Sequence, residues 1–171
     1  MERRQTYAPR IYFIHPLLVG HLDAWPAQFE RAAALGFDHV LIGSPFAPDE
    51  AGHLYLVADH DRLHPAFASA DDANTALGRL ARDARANGLA LLVDVVLDRV
   101  AANGALVRDH GEWFRRSEID EWKLDPRHAP RVDHAAHADF DDARAAAELG
   151  AWWSERLTAL VRPRVEAGQS V

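Results

Sequence analysis

The residues with chemistry to offer gather at the end of one apolar run. Leu89 to Arg99 reads LALLVDVVLDR, and Asp94 interrupts it where a buried strand would end. A carboxylate at that depth is costly unless paired or hydrogen-bonded, and Asp98 and Arg99 follow within five residues. Two readings stay open: an Asp–Arg pair pinning a loop, or charged groups facing a ligand. Tyr55 lies in a loop after an earlier apolar run, where its ring could stack on a ligand or pack. His53, His60 and His64 fall in one loop; Asp133, His134, His137 and Asp139 fall in another. Imidazole and carboxylate suit transition ions. Neither set has a spacing such as H-E-x-x-H, so no metal and no resident cofactor is assigned. Ser44, in Gly43-Ser44-Pro45, lacks the G-x-S-x-G elbow of a nucleophile. The phosphate loops G-x-G-x-x-G and G-x-x-x-x-G-K do not occur. Trp152-Trp153 reads as helix core rather than a sugar-stacking platform.

These residues must be positioned by the elements around them. Uninterrupted apolarity in Leu89–Val93 suits a strand buried on both faces, as in a parallel sheet. The carboxyl end of such a strand is where binding groups collect in α/β folds. Arg10–Ile14 and Phe37–Ile42 read as two earlier strands. Between them, Trp25, Phe29, Ala32 and Ala33 recur at helical spacing, with Asp23 as the expected cap and Leu35-Gly36 as the stop. Ala73, Leu77, Leu80, Ala81 and Ala84 mark a second helix, capped by Ser69 or Asp71 and ended by Gly88. The succession strand, helix, strand, helix, strand predicts two right-handed crossovers and a parallel sheet. Phe46 to Ala70 reads as a long irregular segment, the kind that is usually functional.

Past Arg99 the pattern loosens. Leu106 to Arg116 reads as a short helix, and Ser117 to Asp139 as an extended excursion outside the core. Asp141 to Val161 reads as a third helix with acidic residues in its first turn. Leu149, Trp152, Trp153, Leu157 and Leu160 form its apolar side, and Arg162-Pro163 ends it. The 171 residues fit one domain, with 1–9 as a flexible start, 100–139 as an excursion and 162–171 as an atypical tail. Net charge is −7 with no basic patch, which argues against nucleic acid. There is no cysteine, hence no disulfide or thiol chemistry. No apolar leader or membrane-length run is present, so the cytoplasm is the expected location.

In order along the chain, RIYFIHPL, LGFDHVLIGSPFAP, LYLVADHDRLHPAF and GLALLVDVVLDRV resemble the opening of the α-amylase superfamily (β/α)8 barrel. That family carries a tyrosine loop, Y-D-x-x-D-Y-x-x-I-D-P-x-F, and then D-V-V-x-N-H at its third strand. Tyr55, Asp59, Pro65, Phe67 and Asp94 fall on matching positions. Ala138-Asp-Phe-Asp141 is similar to the D-L-N segment before the fourth strand. In particular, the chain resembles the amylase-like domain attached to bacterial maltose-1-phosphate maltosyltransferases, which extend α-1,4-glucans. Against that pattern Leu56 replaces an aspartate, and Asp98 and Arg99 replace the asparagine and histidine of the third-strand motif.

The resemblance implies an α/β fold, a partial (β/α)8 barrel of about three parallel strands with flanking helices. It implies Tyr55, Asp94, Asp98 and Arg99 as sugar-facing residues. The partners implied are an α-glucan or maltose-type sugar and a second chain completing the barrel. The family's fourth-strand nucleophile, fifth-strand glutamate and seventh-strand carboxylate have no counterpart in these residues. Retaining glycoside chemistry needs two carboxyl groups about 5 Å apart, and Asp94 alone cannot supply both. The expectation is therefore no catalytic residue and no turnover by this chain alone. The alternatives are a non-catalytic oligosaccharide- or partner-binding module, and a small hydrolase using metal-bound water at the histidine loops.

Overall fold

The computed structural model describes residues 8–116 and 134–166. β1 (Ile11–Ile14) leads through a one-turn helix, α1 (Pro16–Val19), and a 3-10 turn at Leu22–Ala24 into α2 (Trp25–Ala34). β2 (His39–Ile42), β3 (Phe46–Pro48) and β4 (Val57–Leu63) follow, then α3 (Ala73–Ala86) and β5 (Ala90–Val93). β6 (Arg99–Ala101), α4 (Ala105–Asp109), β7 (Phe114–Arg116), β8 (Ala135–Ala138) and α5 (Ala143–Glu166) complete the order.

The expected spine is present. β1, β2 and β5 form a parallel sheet with β2 in the centre, and no closed barrel is formed among the described residues. Tyr12, Ile14, Val40, Ile42, Leu91 and Val93 point to one face, where Trp25 and Phe29 of α2 and Leu77, Leu80 and Ala84 of α3 bury them. Ile11 and Phe13 point to the other face and are 42% and 50% exposed. Among the described residues the sheet is thus covered on one side and open on the other.

Both covering helices stop by the same device. Gly36 and Gly88 adopt φ of 84° and 73°, a left-handed conformation that a Cβ disfavours. In each case the next amide reaches back to the helix: Phe37 N–H donates to Ala32 O at 3.1 Å, and Leu89 N–H to Ala84 O at 3.0 Å. That six-to-one bond is the Schellman closure, and it delivers the chain directly into β2 and β5.

The helix starts differ from expectation. Asp72, rather than Ser69 or Asp71, caps α3 by accepting from Thr75 N–H at 2.9 Å. Ser69 Oγ instead accepts from Asp71 N–H. Asp23 does not cap α2; it sits in the preceding 3-10 turn, and its carboxylate pairs with Arg79 of α3 at 2.6 Å. The acidic residues before α5 lie ahead of its first turn, where Asp142 caps it by accepting from Ala145 N–H at 2.8 Å. That helix runs on through Pro163 to Glu166 rather than ending there.

Two other segments are more regular than their sequence implies. Phe46–Ala70 holds the antiparallel pair β3–β4 and a 3-10 turn at Pro65–Phe67. Its burial falls on Val57, His60 and Leu63, a spacing of three imposed by register shifts, so the alternation that marks a strand is missing. In the excursion, β6, β8 and β7 form an antiparallel sheet in that order. Leu106–Arg116 is one helical turn, a 3-10 turn at Gly111–Trp113 and a strand. Ala136 and Ala138, too small to announce a strand, pack with Val100, Trp113, Leu149 and Trp153 as a second core. The rest of the excursion, 117–133, together with 1–7 and the final residues from 167, lies outside the described residues, as does the Leu160 side chain.

Candidate functional site

The register of the parallel sheet brings three residues side by side. Ile14, Ile42 and Val93 are in step, so His15, Gly43 and Asp94 come next on three adjacent strands at their carboxyl ends. Backbone bonds carry the alignment past the strands: Asp94 N–H donates to Ile42 O at 2.9 Å and Gly43 N–H to Ile14 O at 3.3 Å. Asp94 is half-buried, and no described residue hydrogen-bonds or ion-pairs with its carboxylate.

Tyr55 is brought over this edge by a tight turn. The buried Asp49 organises that turn: its carboxylate accepts from the His53 backbone N–H at 2.8 Å and contacts His53 Nδ1 at 2.8 Å. Asp49 N–H donates to Leu56 O, and Leu56 N–H closes back on His53 O, both at 2.9 Å. Burial, and then the Asp94 charge, push the Tyr55 phenol above its usual range. The hydroxyl therefore stays a hydrogen-bond donor through neutral pH. Tyr55 lies close enough to the strand ends for the Asp94 charge to act on its phenol.

Asp98 and Arg99 make a separate pair. Arg99 Nη1 lies 3.3 Å from Asp98 Oδ2, with both side chains about half exposed. Asp98 O accepts from Ala138 N–H, and Arg99 faces His137 across the β6–β8 ladder. These residues pin the antiparallel sheet; among the described residues no hydrogen bond or ion pair joins them to Tyr55 or Asp94.

The histidines disperse. His53 pairs with Asp49, and its ring lies 6.4 Å from that of His134. His64 Nδ1 accepts from Ala66 N–H and caps the Pro65–Phe67 turn. His60 is buried between Phe46, Trp152 and Trp153, at ring distances of 5.4, 5.5 and 5.1 Å. Asp139 pairs with Arg115, His137 is exposed on β8, and Asp133 is outside the described residues. Among the described residues no three such groups converge in a way that could hold a metal ion. Trp153 is buried, and the half-buried Trp152 meets it edge to face with Arg156 over its ring.

Sequence reasoning missed Asp49, Gly43 and His15. The signal for Asp49 was present in Pro48-Asp49-x-x-Gly52, residue types that make turns. Gly43 and His15 become visible only when the register is known. His15 Nδ1 and Ser44 Oγ are buried beside the rim without a hydrogen-bond partner among the described residues. Next to the Tyr55 turn, a cleft of about 370 Å³ is lined by Asp49, Glu50, Asn103 and His134. No described helix is long and apolar enough to cross a membrane.

No family model matches the chain. A curated relative does: the chain is 46% identical over 160 residues, 94% of its length, to an α-1,4-glucan:maltose-1-phosphate maltosyltransferase of Burkholderia pseudomallei. It spans only 14% of that protein. Among solved structures, an α-amylase of Lactobacillus plantarum superposes with a TM-score of 0.64 at 15% identity, covering 86% of this chain and 35% of the other. The α-amylase of Geobacillus thermoleovorans complexed with acarbose gives 0.60 at 19%, covering 86% and 37%. At those identities the structural likeness speaks for the fold alone. The chain is thus similar in sequence to a segment of a maltosyltransferase, and its fold is similar to a portion of the α-amylase structures.

Proposed function

We propose that this chain is part of an α-glucan-handling barrel whose rim contacts a maltose-type sugar and which does not turn it over alone. The observation that supports the reading is the Tyr55 hydroxyl at the end of β2 beside Gly43, with Asp94 in step on the next parallel strand. A phenol held protonated and a half-buried carboxylate without a hydrogen-bond or ion-pair partner among the described residues offer a donor and an acceptor to sugar hydroxyls. The sugar class follows the names of its relatives, one acting on maltose-1-phosphate and α-1,4-glucan and one bound to acarbose.

In this reading the lack of turnover is supported by the acids at the described strand ends. The three strand ends carry His15, Gly43 and Asp94, a single carboxylate where retaining chemistry uses two about 5 Å apart. Further strands, from a second chain or a longer polypeptide, would pair with β1 and β5 and complete the cylinder. In this reading the protein works in the cytoplasm on glycogen-type glucan. Asp98 and Arg99, on the neighbouring sheet, would meet only a longer oligosaccharide.

Assays of amylose hydrolysis and of maltosyl transfer from maltose-1-phosphate should detect no turnover with the pure 171-residue chain. Turnover abolished by Asp94→Ala would overturn that reading. Calorimetry with maltose and maltoheptaose serves the second reading, a non-catalytic sugar-binding module, which the preassembled rim favours. Tyr55→Ala should weaken binding about tenfold, the loss of one aromatic contact and its hydrogen bond.

A further inference from the structure

Gly43 follows the central strand β2, in step with Asp94 on the next strand and beside the Tyr55 hydroxyl. We propose that Gly43 is a positioning residue: its missing Cβ seats the Tyr55 hydroxyl against the end of β2, and that seat sets how Tyr55 meets a sugar. The second half of this proposal rests on the sugar-facing reading of the rim; the first half does not.

The argument is one of space. A Cβ at position 43 would stand 3.2 Å from the Tyr55 hydroxyl, 3.1 Å from Pro16 Cδ and 3.5 Å from Leu54 Cδ2. The first two are tighter than ordinary van der Waals contact. Gly43 is not among the residues with positive φ, so its backbone conformation does not call for glycine. Of the two crowded neighbours, Pro16 is fully buried and ring-locked. Tyr55 is half-buried on a turn, so it is the one that gives way. A methyl group at 43 would therefore lift the hydroxyl off the strand end and away from Asp94.

A double-mutant cycle tests this, with Gly43→Ala, Tyr55→Phe and the double variant compared with the parent. Three readouts serve: urea denaturation, maltoheptaose affinity by calorimetry, and the phenol titration followed by ultraviolet difference absorbance. Gly43→Ala should weaken maltoheptaose binding about fivefold and bring the Tyr55 titration down toward that of an ordinary tyrosine. In the Tyr55→Phe background the same substitution should leave affinity unchanged and cost clearly less stability than in the parent, because the hydroxyl it displaces is gone and only the Pro16 contact remains. Equal losses in both backgrounds would trace the effect to Pro16 and overturn the proposal, as would a Tyr55 titration untouched by Gly43→Ala. If Gly43→Ala alone does not fold, the double variant should; its failure to do so would also overturn it. A parent that binds no maltoheptaose, yet shows the coupled shift in titration, would uphold the seat and remove the sugar reading.

Discussion

His60 carries a cost that grows with acidity. Burial among Phe46, Trp152 and Trp153, helped by the charge of Arg156 and opposed by Asp59 and Asp61, pulls its pKa down to about 4. Its Nε2 has no hydrogen-bond partner among the described residues. The unfolded chain takes up a proton near the ordinary histidine value, whereas the folded chain resists until about pH 4. Stability is therefore complete above about pH 6.5 and is lost as pH falls toward 4. The loss is at most about 3 kcal/mol. Urea denaturation at pH 7 and pH 4.5 should show that decline in the parent and a smaller one in His60→Leu. Equal declines would mean that other groups carry the acid response.

At the scale of elements, the two helix stops and one helix interior make opposite predictions for the same substitution. Gly36→Ala and Gly88→Ala place a Cβ on left-handed residues, and neither site has a close neighbour, the nearest being Arg10 Nη1 at 3.8 Å from position 36. The cost is conformational and should be about 1 kcal/mol each. Gly150, exposed in α5 with open space around it, should instead gain about 1 kcal/mol on conversion to alanine. Urea denaturation of the three variants measures all three signs. These stops are also why the spine was legible: Leu35-Gly36 and Asn87-Gly88 punctuate the helices, and Val40–Ile42 and Leu91–Val93 write buried strands as apolar runs. The caps were harder, since Ser69, Asp71 and Asp72 all carry suitable oxygens and only backbone direction selects among them. β4 was illegible because its buried residues recur every third position, and β8 because alanine has no strand signature.

For the molecule as a whole, the sheet is lopsided. Its helix-covered face is packed, while Ile11 and Phe13 are exposed on the other and Leu41 and Leu92 only half-buried there. Among the described residues β1 and β5 pair only with β2, leaving two unpaired edges. Parallel sheets are otherwise buried on both faces, and bare edges recruit other strands. Light scattering of the pure chain should show self-association or a marginally stable monomer. A stable, monodisperse monomer would mean that residues outside those described cover the open side. Tyr55 and Asp94 could each be singled out from their places after apolar runs, while a shared sugar-facing role came only from the resemblance. Their supports could not, because Asp49 acts through backbone amides and Gly43 through a gap, and neither leaves a mark on spacing.

The Asp49 turn has one more consequence. Its carboxylate and three backbone bonds hold residues 49–56 in one arrangement before anything arrives at Tyr55. An incoming molecule would meet a finished surface rather than a loop it must first freeze. Little of the binding energy would then be spent on ordering the protein, and association should release heat without a large entropic penalty from the chain.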